Sequence, residues 1–312
     1  EIEKTAHAVG RLAEEADKPI LTCFMGEARM DAGVRILREY GVPNYPFPER
    51  VAATLAAMDA YRLEKERPMV EPEPCEVCQP PVRKLFAQVR EEGRASIGDA
   101  EAREVLEAYG FPVPESYLAE TPEEAVEKAE EIGYPVVLKV ASPDILHKTD
   151  VGGVKLGLDS PTDVRDAFDL IIYRAGRYMP DARVWGCLVQ EMVTGGREIL
   201  VGMNRDPQFG PLVAFGLGGI YVEALKDVAF RVAPFSRKEA EEMIHEIRSY
   251  PLLAGVRGEP PADHEAMIDA LMRISQLVTD FPEIVELDIN PLTVFEEGRG
   301  AVAIDMRLVL SS

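Results

Sequence analysis

The sequence predicts an α/β protein in two pieces, a short parallel α/β element followed by a much larger α/β region. Three features carry that reading. Short apolar, β-branched runs alternate with amphipathic stretches that close on glycine. A tract rich in proline and glutamate interrupts the alternation at 68–81. The chain has 312 residues, 46% of them hydrophobic, which is enough for two cores.

The elements follow in order. Residues Ile2–Ala16 form an opening helix, and Pro19 leads into a short apolar strand, Ile20–Met25. Gly26 turns the chain into a helix with Val34, Ile36 and Leu37 on its apolar face, closed by Gly41. A brief Val42–Phe47 segment precedes a helix from Pro48 to Lys65. Strand and helix alternating across short loops indicate a parallel sheet with crossovers, and residues 1–67 are too few to close one. Five prolines and three glutamates in residues 68–81 then make a stiff, extended spacer, and the domain boundary is placed there. Residues 82–312 form the second domain. Val82–Gly93 and Gly98–Tyr109 read as helices, and Phe111–Leu118 as an extended segment. The helix beginning at Thr121-Pro-Glu-Glu carries a capping-box pattern with proline in its first turn, and ends at Gly133. Pro135–Val140 is a strand.

Thirty-four basic residues against 55 acidic ones give a formal net charge of −21, which repels nucleic-acid backbones and anionic lipid. No apolar run approaches the roughly 18–20 residues of a membrane span. Cys75 and Cys78 form a CxxC among prolines, with no second ligand pair to complete a zinc site. It reads as an incidental pair, and reduced cysteines suit the cytoplasm. The first residue is Glu1, within a helix already under way, so a fragment of a longer chain is expected.

Four stretches could carry chemistry. In Tyr134–Ala141, Lys139 sits inside an apolar strand, where an ammonium must either reach solvent or meet an anion. Gly152 and Gly153, in the following loop, allow backbone amides to approach a phosphate. Trp185–Val193 is an apolar strand ending in Gln190-Glu191. It turns through Thr194-Gly-Gly196 into Arg197–Met203, a hairpin with Glu191 and Glu198 flanking the turn; these carboxylates either face solvent or need a metal, ribose or lysine. Phe209–Phe215 runs into Gly216-Leu-Gly218-Gly219, a glycine-rich loop that lacks the dinucleotide fingerprint. Finally, Ile284–Leu292 alternates so that Glu286, Asp288 and Asn290 share one face and Val285, Leu287 and Ile289 the other. A second strand, Ala301–Met306, brings Asp305 beside them, and hard oxygen ligands grouped in this way describe a magnesium site.

Taken together, the strand lysine, the Gln190-Glu191 turn, the Gly-Leu-Gly-Gly loop and the Asp288-Ile-Asn290-Pro-Leu strand resemble an ATP-grasp domain. More narrowly, His147-Lys-Thr-Asp-Val-Gly-Gly-Val and Arg205-Asp-Pro-Gln-Phe-Gly-Pro are similar to the NDP-forming acyl-CoA synthetases, the ADP-forming acetyl-CoA synthetases. The resemblance covers about 82–310, and residues 1–67 resemble the end of the flavodoxin-like, succinyl-CoA ligase-like domain that precedes ATP-grasp in single-chain members. It implies an ATP-grasp fold of two α+β lobes enclosing ATP or ADP with Mg2+. It also implies that Lys139 contacts the phosphates beneath the Gly152-Gly153 loop, with Gly218 and Gly219 in a second glycine-rich loop. Glu191 would stand at the adenine hinge, Gln190, Met192 and Val193 would supply neighbouring groups, and Glu198 would serve the ribose or the metal shell. Asp288, Asn290 and Asp305 would hold magnesium, and His147 would be a mobile phosphoryl relay. The implied reaction converts acyl-CoA, ADP and phosphate to carboxylate, CoA and ATP, with CoA-binding and phosphohistidine ligase domains elsewhere in the full-length chain or on a partner subunit. Alternatives are another ATP-grasp carboxylate ligase without a histidine relay, or a non-catalytic nucleotide-sensing module. His7, His245 and His264 fall in helices with acidic neighbours and read as surface or boundary residues.

Overall fold

The computed structural model describes all residues except 68–69, 146–147, 219–226, 257 and 312, together with the side chains of 27–29 and 99–100. The chain divides into two compact units, Glu1–Val70 and Glu71–Ser312.

In the first unit, α1 (Ile2–Glu15) and α2 (Glu27–Glu39) pack through Ala6, Leu37 and Val42, with Ile20, Phe24 and Tyr40 around them. The Tyr40 ring lies directly on Gly10, where a β-carbon would collide with it. α3 (Pro48–Glu66) has no buried residue. The two expected strands reduce to one parallel bridge, Thr22 to Asn44. The Asn44 side chain does part of a ladder's work by accepting from Phe24 N at 2.7 Å. Two short segments without further neighbours have too few inter-strand bonds to form a sheet.

The second unit opens with α4 (Gln79–Glu91) and α5 (Asp99–Ala108). Part of the expected spacer is packed rather than free. Cys75 and Val77 rest on the core, Cys75 N donates to Gln276 Oε1 at 2.6 Å, and α4 already begins at Gln79. Its prolines sit in the first turn, where a missing N–H costs nothing.

Two antiparallel sheets follow. The first has the order β1-β4-β2-β3, from Ser116–Ala119, Gly186–Glu191, Val136–Ala141 and Val154–Leu158. α6 (Pro122–Ile132) and α7 (Pro161–Tyr178) cover one face, where Phe168 and Ile171 of α7 share a core with Leu138, Val140 and Val189 of the sheet. Thr121 caps α6 by accepting from Glu124 N, but Glu124 reaches Glu120 N rather than completing the box on Thr121. The second sheet runs β10-β8-β5-β6-β7, from Met306–Leu310, Ile284–Val294, Arg197–Asp206, Gly210–Leu217 and Val228–Val232, with β9 (Ala301–Ala303) also paired to β8. Its core includes Ile199, Val201, Phe215 and Ile289 and takes in α4, α5, α8 (Arg237–Glu246), the single turn α9 (Tyr250–Leu253) and α10 (His264–Asp280). In α10, Met267, Ile268, Leu271, Ile274, Leu277 and Val278 recur at helical spacing and are all buried. No helix among the described residues is long and apolar enough to cross a membrane.

The expected hairpin at Thr194–Gly196 is not one. β4 belongs to the first sheet and β5 to the second, so Met192–Gly196 connects two lobes. β4 is already flanked by β1 and β2, so it has no free edge for β5. Gly196 crosses at φ +77°, 2.9 Å (by its missing β-carbon) from Val294 O.

Candidate functional site

The apolar alternation of β2 turns Leu138 and Val140 toward the helices and Lys139 to the other face. Lys139 is only 5% exposed, so its ammonium needs partners. It donates to Ile304 O at 3.1 Å and lies 3.7 Å from Asp305 Oδ2. Lys148, in the loop between β2 and β3, reaches the same carboxylate oxygen at 3.4 Å. Two cations from the first lobe therefore converge on one carboxylate of the second. The cavity between them is lined by Lys139 and Gln190 on one side, Arg103 and Ser116 beside them, and Ile304 and Asp305 opposite.

Asp305 is not inside a strand. The expected Ala301–Met306 strand breaks after Ala303, and Asp305 occupies the corner between β9 and β10. Its carbonyl accepts from Asn290 N at 3.2 Å. The corner lifts its carboxylate out of the apolar run and toward the lysines, which a continuous strand would not do.

β8 alternates as its sequence predicts. Leu287 and Ile289 are buried in the core, while Glu286 and Asp288 are half-buried and Asn290 is exposed. Asp288 stands opposite Arg307 on β10 and Gly202 on β5. Burial pushes the Asp288 carboxyl above the usual carboxylate range, Glu286 and Asp305 add to the effect, and Arg307 opposes it. Excess negative charge there is what a cation would relieve. Among the described residues no group of three or more His, Cys, Asp or Glu side chains is placed to hold a metal by itself. Two carboxylates and an amide oxygen, from Asp288, Asp305 and Asn290, nevertheless suit Mg2+, which keeps waters and takes its remaining ligands from substrate phosphates.

The other expected residues divide. Gln190 is 3% exposed and faces the cavity, whereas Glu191 is exposed, its N–H donating to Glu115 O at 2.8 Å. Met192 and Val193 are half-buried in the connector, and Glu198 is exposed on β5. The Gly152 and Gly153 amides are engaged within their own turn, donating to Thr149 O and Lys148 O at 3.0 and 2.7 Å. Gly218 N likewise donates to Glu198 O at 2.8 Å, and its missing β-carbon admits the Glu198 backbone within 3.2 Å. These glycines serve close backbone approach in this state. His147 and Gly219 lie outside the described residues.

Residues 88–310 match the ATP-grasp domain family. The chain is 46% identical over 294 residues to an ADP-forming acetate–CoA ligase of Archaeoglobus fulgidus, covering 94% of this chain and 42% of that one. It is 49% identical over 228 residues to the β subunit of acetate–CoA ligase (ADP-forming) I of Pyrococcus furiosus, covering 73% of this chain and 97% of that subunit. The chain belongs to the ATP-grasp family, in the branch of the ADP-forming acetate–CoA ligases. A solved relative is the dinucleotide-forming acetyl-CoA synthetase 1 of Ca. Korarchaeum cryptofilum in complex with coenzyme A and Mg-AMPPCP, its phosphohistidine segment pointing towards the nucleotide binding site. That structure has a TM-score of 0.64 at 44% identity, covering 73% of this chain and 99% of that one. A second structure of the same enzyme, with coenzyme A and Ca-AMPCP, gives 0.70 at 46% identity, covering the same shares. The chain spans less than half the length of the first two curated relatives it matches.

Two residues of this ATP-grasp chain escaped the sequence reading. Arg103 donates through Nη1 to Pro114 O at 3.1 Å and to Ser116 Oγ at 2.5 Å, tying α5 to β1 at the cavity wall. In sequence it looks like half of an exposed pair with Glu107, a pairing it also makes. Arg307 pairs with Glu286 at 3.3 Å, while its buried Nε has no hydrogen-bond partner. The alternation of Met306–Leu310 was the available signal, since it places Arg307 on the face of β10 opposite to its buried residues.

Proposed function

We propose that this chain is the nucleotide-binding and phosphoryl-transfer part of an ADP-forming acyl-CoA ligase, coupling acyl-CoA, ADP and phosphate to carboxylate, CoA and ATP. The observation that carries the reading is the convergence of Lys139 and Lys148 on Asp305 across the cavity between two lobes. A lysine pair and a carboxylate from opposite walls form a charge-compensated site that a nucleotide polyphosphate with its cation can enter. The lysines would then pair with phosphate oxygens in place of Asp305, and Asp305, Asp288 and Asn290 would hold Mg2+. The metal's contribution is to neutralise charge on the phosphates.

Gln190, Glu191, Met192 and Val193 lie where the chain crosses between lobes and supply the adenine contacts, while Glu198 serves the ribose side. Gly152, Gly153, Gly218 and Gly219 let backbone close over the phosphates. His147 carries the phosphoryl group. In the direction of ATP cleavage, its imidazole nitrogen bonds to the γ-phosphorus, the bond from that phosphorus to the bridging oxygen breaks, ADP leaves and the ring proton passes to solvent. The reverse step makes ATP. CoA-binding and ligase domains, in the same chain or on a partner subunit, would take the acyl half. The named relatives, an acetate–CoA ligase among them, support an acyl-CoA substrate. The net charge of −21 disfavours nucleic acid and anionic membrane as partners, and the four free cysteines suit the cytoplasm.

The test is labelling with γ-32P ATP. An acid-labile, alkali-stable label expected on the parent is expected to be absent from His147→Ala, with ATP affinity in that variant nearly intact. Equal labelling of both proteins would refute the relay. Loss of affinity with turnover retained at saturating ATP would make His147 a binding residue instead.

A further inference from the structure

A second cluster of chemically capable side chains lies well apart in sequence from the nucleotide-site residues, where α8, α9 and the start of α10 meet. His245 lies in the last turn of α8, Tyr250 opens α9, and His264 is the first residue of α10. They line a cavity of about 330 Å³ together with Glu241, Pro261 and Glu297. The sequence alone read both histidines as surface or boundary residues, since nothing in their spacing links residues 245 and 264.

The imidazoles face one another closely. Their ring centres are 5.0 Å apart, and Tyr250 stacks on His245 at 4.3 Å. His245 Nδ1 lies 2.8 Å from Glu241 O, a carbonyl that can only accept. That contact places the proton on Nδ1 and leaves a lone pair on Nε2 of neutral His245. His264 Nε2 is shielded from solvent without a hydrogen-bond partner. Burial, with His245 beside it, pushes the His264 ring below the ordinary imidazole range, against the opposing pull of Glu241, Glu265 and Asp263. Its place at the N-terminus of α10 also acts downward.

From these features we infer that His245 and His264 form a two-histidine site for a divalent transition-metal ion of the zinc class. Two imidazoles sharing a tetrahedral zinc at about 2.0–2.1 Å have ring centres about 5.2 Å apart, against 5.0 Å here. The His245 contact to a backbone carbonyl is the outer hydrogen bond that usually orients a metal-bound imidazole. Glu241 and Glu297 line the cavity and supply negative charge, and water completes the coordination. Among the described residues no third His, Cys, Asp or Glu is already positioned as a ligand, so the site suits a reversibly held ion.

Zinc calorimetry on the full chain tests this in a Cys23→Ser/Cys75→Ser/Cys78→Ser background, which leaves only the buried Cys187 thiol, with excess Mg2+ present to occupy harder oxygen sites. One saturable Zn2+ equivalent is expected, weakened at least about tenfold, or about 1.4 kcal/mol, in His245→Gln and in His264→Gln. His245 is exposed, so its variant keeps the fold and remains informative even if His264→Gln is destabilised. Co2+ absorption in the parent background is expected to report nitrogen ligation and to fade in His245→Gln. No saturable binding, or zinc affinity unchanged in His245→Gln, would overturn the site and leave the cluster as an aromatic stack between helices.

Discussion

Replacing Lys139 with methionine probes the nucleotide site most directly. Methionine keeps a long, unbranched chain in a buried strand position and removes only the charge and its donors. A hydrogen bond to a charged group contributes about 1.5–3 kcal/mol. Lys139 does not enter the bound state unpartnered, because it already donates to Ile304 O at 3.1 Å and sits 3.7 Å from Asp305. Binding exchanges those interactions for phosphate contacts, so the net loss lies at the lower end, about 1.5 kcal/mol, or about tenfold in Kd for Mg-ADP. The same substitution leaves the Ile304 carbonyl without this donor but also relieves the cost of burying an ammonium. These opposing effects leave a cooperative unfolding transition. Titration calorimetry of parent and variant with Mg-ADP, with thermal unfolding as the control for folding, gives the answer. An unchanged Kd in a folded variant would refute the argument that Lys139 reaches the phosphates.

Three further outcomes are expected. Asp288→Asn raises Tm at neutral pH. The folded-state pKa of Asp288 is raised above its unfolded value, so the native state holds its proton more tightly and stability falls as pH rises through that interval; the gain over the parent should vanish once pH drops below the ordinary carboxylate range, and a pH-independent gain would contradict the burial argument. Asp305→Asn weakens the magnesium dependence of ADP binding, measured by calorimetry with and without the metal, and equal dependence would remove Asp305 from the proposed ligands. Gly196→Ala forces a side chain at φ +77° against Val294 O and costs about 1–3 kcal/mol; thermal melts should register that loss, and an unshifted Tm would show that the connector can relax.

Much of the site was legible because it rests on strand alternation. A lysine among Val137, Leu138 and Val140 has to meet an anion or escape to solvent, and carboxylates two residues apart on β8 share a face whatever surrounds them. The corner at Asp305 was not legible. Ala301-Val-Ala-Ile-Asp-Met has the composition of one strand, and the break depends on β9 and β10 lying in register with different parts of β8. The connector at Thr194–Gly196 was misread for a related reason. Two apolar runs around Gly-Gly have the local signature of a hairpin, but which sheet each strand joins is decided by partners far away in sequence.

The sequence by itself determined the α/β class, the approximate limits of the first six helices, the face of β8 that carries Glu286, Asp288 and Asn290, and the family resemblance. Each follows from local periodicity, capping chemistry or ordered motifs, which act over a few residues at a time. Only the tertiary structure decided that Lys139 and Lys148 share Asp305, that Arg103 ties α5 to β1, that Arg307 stands opposite Asp288, and that His245 faces His264. Those pairs are separated by 13 to 166 positions along the chain (Arg103 to Ser116 and Lys139 to Asp305, respectively). Their meeting depends on how sheets and helices bury their apolar faces, a property of the whole core to which no single segment holds the answer.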